Sequence, residues 1–187
     1  SWAGAGIIPP GNARFAAAAV DKLRAVGSER FPGFTQELQR LTGLESGYVR
    51  CGGVEILDEA DLDLVAAWKA ERIRFEQTGP TRFAFPDLAQ VRNPWHLRSL
   101  VAACERVGVR LRPRTHVTGW DALPAAGAYL VAAGAWSATF VPALPVTPVR
   151  GQIVLFHPPR PLISHVLMAG KRYLVPRPDG RVLVGST

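Results

Sequence analysis

The sequence lacks the signals of a membrane, secreted or metal-binding protein. No apolar run reaches the ~20 residues that a membrane helix needs, and Ser1 opens a Gly/Ala-rich segment without the basic region of a secretory signal. Cys51 and Cys104 are the only cysteines, and the four histidines show no paired metal spacing. We therefore expect a cytoplasmic protein with no disulfide framework and no metal site.

Side-chain motifs for catalysis are also missing. Ser137 lacks the flanking glycines of a nucleophile elbow, and no G-x-G-x-x-G fingerprint stands between a strand and a helix. From its residues alone, the chain is a soluble α/β or α+β domain with glycine at strand ends and no visible catalytic group.

The basic charge does not indicate nucleic-acid binding. The formal net charge is +7 and the isoelectric point about 10.2. A chain this basic binds nucleic acid only if its basic residues form a patch or stripe. The basic residues are spread singly along the chain rather than clustered with aromatic side chains. The charge favours a small acidic partner, or acidic segments that lie outside this chain.

Two glycine-bearing stretches could contact a ligand. Residues 129–133 are apolar or small without polar alternation, which predicts a strand buried on both faces that ends at Gly134. Such a strand end is where open α/β sheets place ligands, although the pattern alone favours a plain core strand followed by an ordinary turn. Within residues 1–11, the small residues 3–6 (Ala-Gly-Ala-Gly) would let backbone N–H groups come close to an anion, and a flexible terminus fits equally.

Apolar periodicity and turn residues predict the other elements. The helices are expected at residues 15–26, 32–41, 58–77 and 93–107, and the strands at residues 48–57, 83–85, 109–111, 115–117 and 147–156. Residues 172–187 should form a β-hairpin around Pro178-Asp179-Gly180, because proline presets φ and glycine accepts positive φ. Tyr173 and Arg177 then share one strand face.

Five ordered stretches together resemble the FAD-dependent amino-acid oxidase superfamily, in its glycine oxidase and D-amino acid oxidase branch. They are SWAGAGIIPP, VRNPWHLRSLVAACERVGVRL, YLVAAGAWS, TPVRGQIVLF and RYLVPRPDGRVLVGST. The family's strand and phosphate loop do not precede Ser1, and its carboxylate-binding arginine segment does not follow Thr187. The chain is therefore expected to be a central fragment that is inactive alone.

The resemblance implies an α/β fold with α+β character. Part of a doubly wound FAD-binding domain would combine with a substrate domain built on a mixed, largely antiparallel sheet. Residues 1–47 would be an FAD-proximal loop and helices, and residues 92–142 a further segment of the FAD-binding domain. Residues 48–91 and 143–187 would form the two parts of the substrate domain.

The resemblance also assigns residues to sites. The expected FAD contacts are Ser1, Ala3, Gly4, Gly6, Ile7, Val117, Ala133, Gly134 and Trp136. Tyr173 would line the substrate site, with Arg177 near it. The implied activity is oxidation of the C–N bond of a small amine or amino acid (glycine, D-amino acid or sarcosine type), with hydride transfer to FAD and reoxidation by oxygen. The alternative is a non-catalytic binding domain with a basic groove for an acidic ligand.

Overall fold

The computed structural model describes residues 4–186, which divide into two compact units. The larger unit contains residues 4–109 and 152–186, and the smaller contains residues 110–151. In chain order the larger unit carries β1 (Ile7–Ile8), α1 (Ala19–Thr42), β2 (Gly53–Ile56), α2 (Asp63–Ala70), β3 (Glu76–Gly79), β4 (Arg82–Phe85), β5 (Ala89–Gln90), α3 (Asn93–Arg106), β6 (Gln152–Phe156), β7 (Val166–Ala169), β8 (Arg172–Pro176) and β9 (Val182–Ser186).

A seven-stranded mixed sheet lies at the centre of the larger unit. Its strand order is β3-β4-β2-β7-β8-β9-β6. Strands β2 and β7 pair in parallel, and the other neighbouring pairs are antiparallel. The predicted fold class, α/β with a mixed and largely antiparallel sheet, is confirmed.

One face of this sheet carries the core. Tyr173, Met168, Glu55 and Phe83 are successive partners across four strands, so their side chains project to the same face. Tyr173 and Met168 pack against a cluster of buried apolar side chains, which consists of Leu57, Phe83, Phe85, Leu88, Val166, Val175 and Leu183. The position of Tyr173 is therefore set by the core of the larger unit.

Helix α2 adds an aromatic anchor to this core. The Trp68 ring meets the rings of Phe75, Phe83 and Phe85 edge-on, with centroid distances of 5.6, 5.4 and 4.8 Å. Each such pair contributes ~0.5–1.5 kcal/mol beyond its buried area. The sheet face under α2 is thus firmly packed.

The predicted helix over residues 58–77 is wrong in its second half. A 3-10 turn (Glu59–Asp61) precedes α2, which ends at Ala70. Arg72 then adopts a φ of 57°, and residues 76–79 leave the helix to pair with β4. The hydrogen bonds of the sheet decide the conformation of these polar residues, which local propensity leaves open.

The two helices expected at residues 15–26 and 32–41 are one helix, α1, which passes through Gly27 and Pro32. Its buried residues include Ala25 and Leu38, and the helix packs against α3. This tertiary packing outweighs the ~1 kcal/mol cost of an internal glycine and the ~3 kcal/mol cost of an internal proline. Leu23 of this helix is 73% exposed and therefore lies outside the core.

Helix α3 and the hairpin match their predicted positions. Pro94 stands in the first turn of α3, and the chain leaves the helix at Gly108 with a φ of 80°. Arg92 occupies the N-cap, and Asn93 begins the helix. Strands β8 and β9 pair around Pro178-Asp179-Gly180, with Gly180 at a φ of 81°.

The strands predicted at residues 109–111, 115–117 and 129–133 are not formed, so those predictions are wrong. The smaller unit contains the 3-10 helices Trp120–Ala122 and Gly134–Thr139, and no β-strand within its described residues. Leu130 is 92% exposed. A buried strand needs neighbours for its backbone hydrogen bonds and cover for both faces, which an apolar run cannot supply by itself. The strand predicted at residues 147–156 begins only at Gln152.

Candidate cofactor and substrate site

Residues 4–8 are held against β5 by backbone pairing. Ile7 and Ile8 pair with Gln90 and Ala89, and the N–H of Val91 donates to the carbonyl of Gly6 at 2.8 Å. Gly6 has a φ of 71°, and a Cβ there would overlap the Val91 carbonyl oxygen. Glycine is therefore required at this position by both conformation and space.

Arg177 joins this segment to the hairpin. Arg177 is the residue that follows β8, and it is 7% exposed. Nη1 donates to Gln90 Oε1 at 2.8 Å and to the Val91 carbonyl at 3.2 Å. Nη2 donates to the Ala5 carbonyl at 2.9 Å. Arg177 thereby connects three chain segments through neutral acceptors.

Gln90, which accepts a hydrogen bond from Arg177, is itself held in place by hydrogen bonds. It is 2% exposed, and its Nε2 donates to the Pro176 carbonyl at 2.5 Å and to Cys51 Sγ at 3.4 Å. These bonds turn Oε1 towards Arg177. We refer to Arg177, Gln90 and the Ala5 carbonyl as the arginine clamp.

The charged side chains that act on Arg177 include two arginines, Arg92 and Arg181, and one carboxylate, Asp179. Burial lowers the pKa of Arg177, and the nearby positive charge of Arg92 acts in the same direction, while the Asp179 carboxylate opposes them. Asp179 itself accepts hydrogen bonds from Arg92 and Arg181. Chiefly the bond from Arg181 holds the pKa of Asp179 well below its usual range. The clamp therefore holds a buried positive charge whose hydrogen-bond acceptors are uncharged.

Tyr173 lies on the core face of β8 and leans towards β9. Its partner across the hairpin is Gly185, and a Cβ on Gly185 would overlap the Tyr173 ring and hydroxyl. The absence of a side chain at residue 185 therefore lets the ring lie over β9. Tyr173 packs against the same buried cluster as Ala5 and Ile7.

A cavity of about 230 Å³ adjoins the residue 4–8 segment. Gly6, Ile7 and Ile8 line it together with Phe31 and His96. The His96 ring lies 5.2 Å from that of Phe31, centroid to centroid, and burial lowers the pKa of His96. Two predicted cofactor residues, Gly6 and Ile7, thus line one apolar cavity beside a histidine that favours its neutral form.

The smaller unit contains its own cavity of about 490 Å³. Three of the predicted cofactor residues line it, namely Val117, Ala133 and Trp136, together with the aromatic side chains of Trp120 and Tyr129. Gly134 begins a 3-10 helix at a φ of 56°, and apart from its chain neighbours and the backbone of its own helix no described residue lies within 4 Å of the place a Cβ would take. A cavity of this size and lining suits a planar apolar ring.

The predicted positions Ser1 and Ala3 lie outside the described residues. Gly4 belongs to the segment beside the clamp, and it is partly buried. Within residues 4–186, no helix is long and apolar enough to cross a membrane, and no group of three or more His, Cys, Asp or Glu side chains could hold a metal ion.

Sequence reasoning missed Gln90, the Ala5 carbonyl and Gly185. Gln90 is a single polar residue between apolar neighbours, which is a weak signal for a buried hydrogen-bonding role. The pairing of Gly185 with Tyr173 follows from a hairpin centred on Asp179, so the register was available from the turn.

Comparison with known families places this fold in a class of cofactor-dependent oxidoreductases. The chain belongs to the DAO family, described as FAD dependent oxidoreductase, which matches residues 1–187. The family is FAD-dependent, and its matched relatives include enzymes named as oxidases. The resemblance stated from the sequence is confirmed.

Individual relatives agree with this assignment. The glycine oxidase of Pseudomonas aeruginosa is 31% identical over 221 residues, covering 100% of this chain and 60% of that protein. The crystal structure of glycine oxidase from Geobacillus kaustophilus superimposes with a TM-score of 0.84 at 24% identity, covering 100% of this chain and 60% of that one. Iminodiacetate oxidase from Chelativorans sp. gives a TM-score of 0.75 at 26% identity, covering 100% of this chain and 61% of that one. The chain thus spans about 60% of the length of these relatives.

Proposed function

We propose that the full-length protein carrying this chain oxidises the C–N bond of a small amine or amino acid, with FAD as cofactor. One observation carries the proposal: Ala5 and Ile7 of the expected cofactor segment and Tyr173 of the expected substrate site pack on the same buried cluster. Residues 168 positions apart in the chain are thereby held together in one unit. A cofactor and a substrate must be adjacent for this chemistry.

The described residues fit FAD in two respects. Residues 4 and 5 are Gly and Ala, small residues whose backbone N–H groups can come close to a ring or phosphate, whereas Val91 fills the space beside Gly6. The cavity of the smaller unit offers aromatic and apolar walls through Trp120, Trp136 and Val117. We assign Gly4, Gly6 and Ile7, and separately Val117, Ala133, Gly134 and Trp136, as residues that would hold the cofactor.

When bound, FAD supplies the hydride-accepting chemistry, with oxygen as the final oxidant. The part played by this chain is to bind, orient and exclude water. Tyr173 would line the substrate site and hydrogen-bond a polar group of the substrate through its hydroxyl. No side-chain base is needed for this reaction, which agrees with the lack of a nucleophile-and-base motif in the sequence.

The assignment of segments follows the same proposal. Residues 1–47 and 92–142 would serve the FAD-binding domain, and residues 48–91 and 143–187 the substrate domain. The substrate class includes glycine, sarcosine and D-amino acids, and the expected compartment is the cytoplasm.

Substitution of Tyr173 by Phe in the full-length enzyme tests the site assignment. The Tyr173→Phe variant should show a higher apparent KM or a lower turnover, because it loses one substrate hydrogen bond, which is worth about 10-fold. Its flavin content should equal that of the wild type. The matched control is Tyr48→Phe, since Tyr48 lies against Phe31 with centroids 5.8 Å apart, and its kinetics should not change. Loss of flavin from Tyr173→Phe would mean that the residue belongs to the cofactor site.

A further inference from the structure

We propose that the arginine clamp positions the cofactor segment, so that Arg177 acts on the flavin through the Ala5 carbonyl rather than by touching the substrate. This inference rests on the proposed function, because it requires that residues 4–8 contact FAD. It assigns a positioning role to Arg177 and to Gln90.

The first step is the geometry of attachment. Backbone pairing fixes Ile7 and Ile8 through β5 and fixes Gly6 through Val91. The next carbonyl towards the N-terminus is that of Ala5, which accepts a hydrogen bond from Arg177 Nη2. Arg177 thus extends the fixed part of the segment by one residue, into the Gly-Ala-Gly portion that is expected at the cofactor.

The second step is the commitment of the guanidinium. Arg177 is 7% exposed, and both of its terminal nitrogens donate to protein acceptors. A guanidinium that is engaged in this way is poorly placed to grip a substrate carboxylate in addition. Its planar fork, with acceptors on several sides, suits it to hold separate chain segments at fixed distances.

The third step is the support of the fork by Gln90. The amide of Gln90 is oriented by two donor bonds, to the Pro176 carbonyl and to Cys51 Sγ. Its Oε1 is therefore fixed where Arg177 Nη1 meets it. Movement of either side chain would release the Ala5 carbonyl, since no charged partner anchors Arg177 within the clamp.

The fourth step is electrostatic. A buried positive charge with neutral acceptors produces a field that water screens weakly. A flavin beside residues 4–8 would experience that field, which favours added negative charge on the flavin ring. The clamp is thus expected to affect the reduction potential of the flavin as well as its position.

The experiment compares wild-type full-length protein with Arg177→Lys and Gln90→Glu. Lysine keeps the positive charge but cannot reach several acceptors in a planar fork, and Gln90→Glu keeps the acceptor but loses both donors. Arg181→Lys is the matched control, because Arg181 belongs to the same hairpin and binds Asp179 rather than Ala5. Each protein is stripped of FAD and titrated with FAD by fluorescence, and the visible absorption spectrum and reduction potential are recorded after reconstitution.

Arg177→Lys should bind FAD about 10- to 100-fold more weakly than wild type, as expected for loss of a charge-assisted hydrogen bond. Gln90→Glu should also bind FAD more weakly, because it neutralises the buried charge of Arg177 and loses the two donor bonds that orient residue 90. Their flavin spectra should be shifted, and FAD should raise their melting temperature less than that of wild type. Arg181→Lys should match wild type in FAD affinity, spectrum, reduction potential and the rise in melting temperature.

A purely structural role gives a different result. It would lower the melting temperature of the apo-protein while leaving the FAD affinity, spectrum and reduction potential unchanged, and that outcome overturns the inference. If a variant fails to fold, the other variant decides by the same criteria. Failure of the wild type itself to bind FAD would instead overturn the proposed function.

Discussion

Because Tyr173 lies over Gly185, the substitution Gly185→Ala should destabilise the protein when residue 173 is tyrosine and stabilise it when residue 173 is alanine. Gly185 has no positive φ, so alanine there carries no backbone strain, and its effect is steric. A Cβ at residue 185 would overlap the Tyr173 ring and hydroxyl. Gly185→Ala should therefore lower the free energy of unfolding by ~1–3 kcal/mol, the usual cost of overpacking.

The same substitution should stabilise the protein once the ring is removed. In a Tyr173→Ala background, alanine at residue 185 has space, and alanine is favoured over glycine in a strand by ~0.5–1 kcal/mol. The coupling between the two substitutions should then amount to ~1.5–4 kcal/mol. Gly79→Ala should show no comparable coupling with Tyr173→Ala, because a Cβ on Gly79 in β3 would meet Arg82 and not Tyr173.

Urea unfolding of the full-length protein and its three variants measures this cycle. The midpoints convert to free energies when the slopes agree between variants. The reasoning is refuted if Gly185→Ala is equally destabilising with and without the Tyr173 ring, since the ring would then not lie over Gly185. Because Tyr173 is the proposed substrate residue, the result also tests the position of the site.

Two carboxylates give pH-dependent predictions. The pKa of Asp179 is lowered, chiefly by the Arg181 hydrogen bond. The Asp179 carboxylate therefore stabilises the folded protein at pH values above its ordinary pKa of 3.8, and this stabilisation is lost as the pH falls through the lowered pKa. Asp179→Asn should cost ~1 kcal/mol at neutral pH, after allowance for solvent screening, and the difference in unfolding free energy from wild type should vanish in strong acid. The pKa of Glu55 is raised, first by burial and then by Asp61, so its contribution is favourable below 4.5 and is lost as the pH rises through the raised pKa. Glu55→Gln should therefore be more stable than wild type at neutral pH and equal to it in acid, as urea unfolding across pH would show; an equal or lower stability at neutral pH would contradict the burial of Glu55.

Local chemistry made some elements predictable from the sequence. The hairpin of β8 and β9 is determined by Pro178 and Gly180, whose backbone preferences hold in almost any context. Pro94 marks the start of α3 for the same reason. These signals depend on residues next to one another in the chain.

Other elements depend on distant contacts and were not predictable in this way. Helix α1 continues through Pro32 because its buried residues pack in the larger unit, and residues 129–133 form no strand because the described residues beside them supply no partner strand. The clamp joins Ala5, Gln90 and Arg177 across the chain. Nothing in the sequence near any one of them indicates the other two.

The proposal that Tyr173 and the residue 4–8 segment serve one flavin site is tested most directly by adding amines to the full-length protein. The purified protein, loaded with FAD, is mixed without oxygen with glycine, sarcosine or D-amino acids while the visible flavin absorption is followed. We predict that at least one of these compounds bleaches the flavin band and that oxygen restores it. A full-length protein that takes up no FAD, or whose flavin band persists with every such amine, would contradict the account.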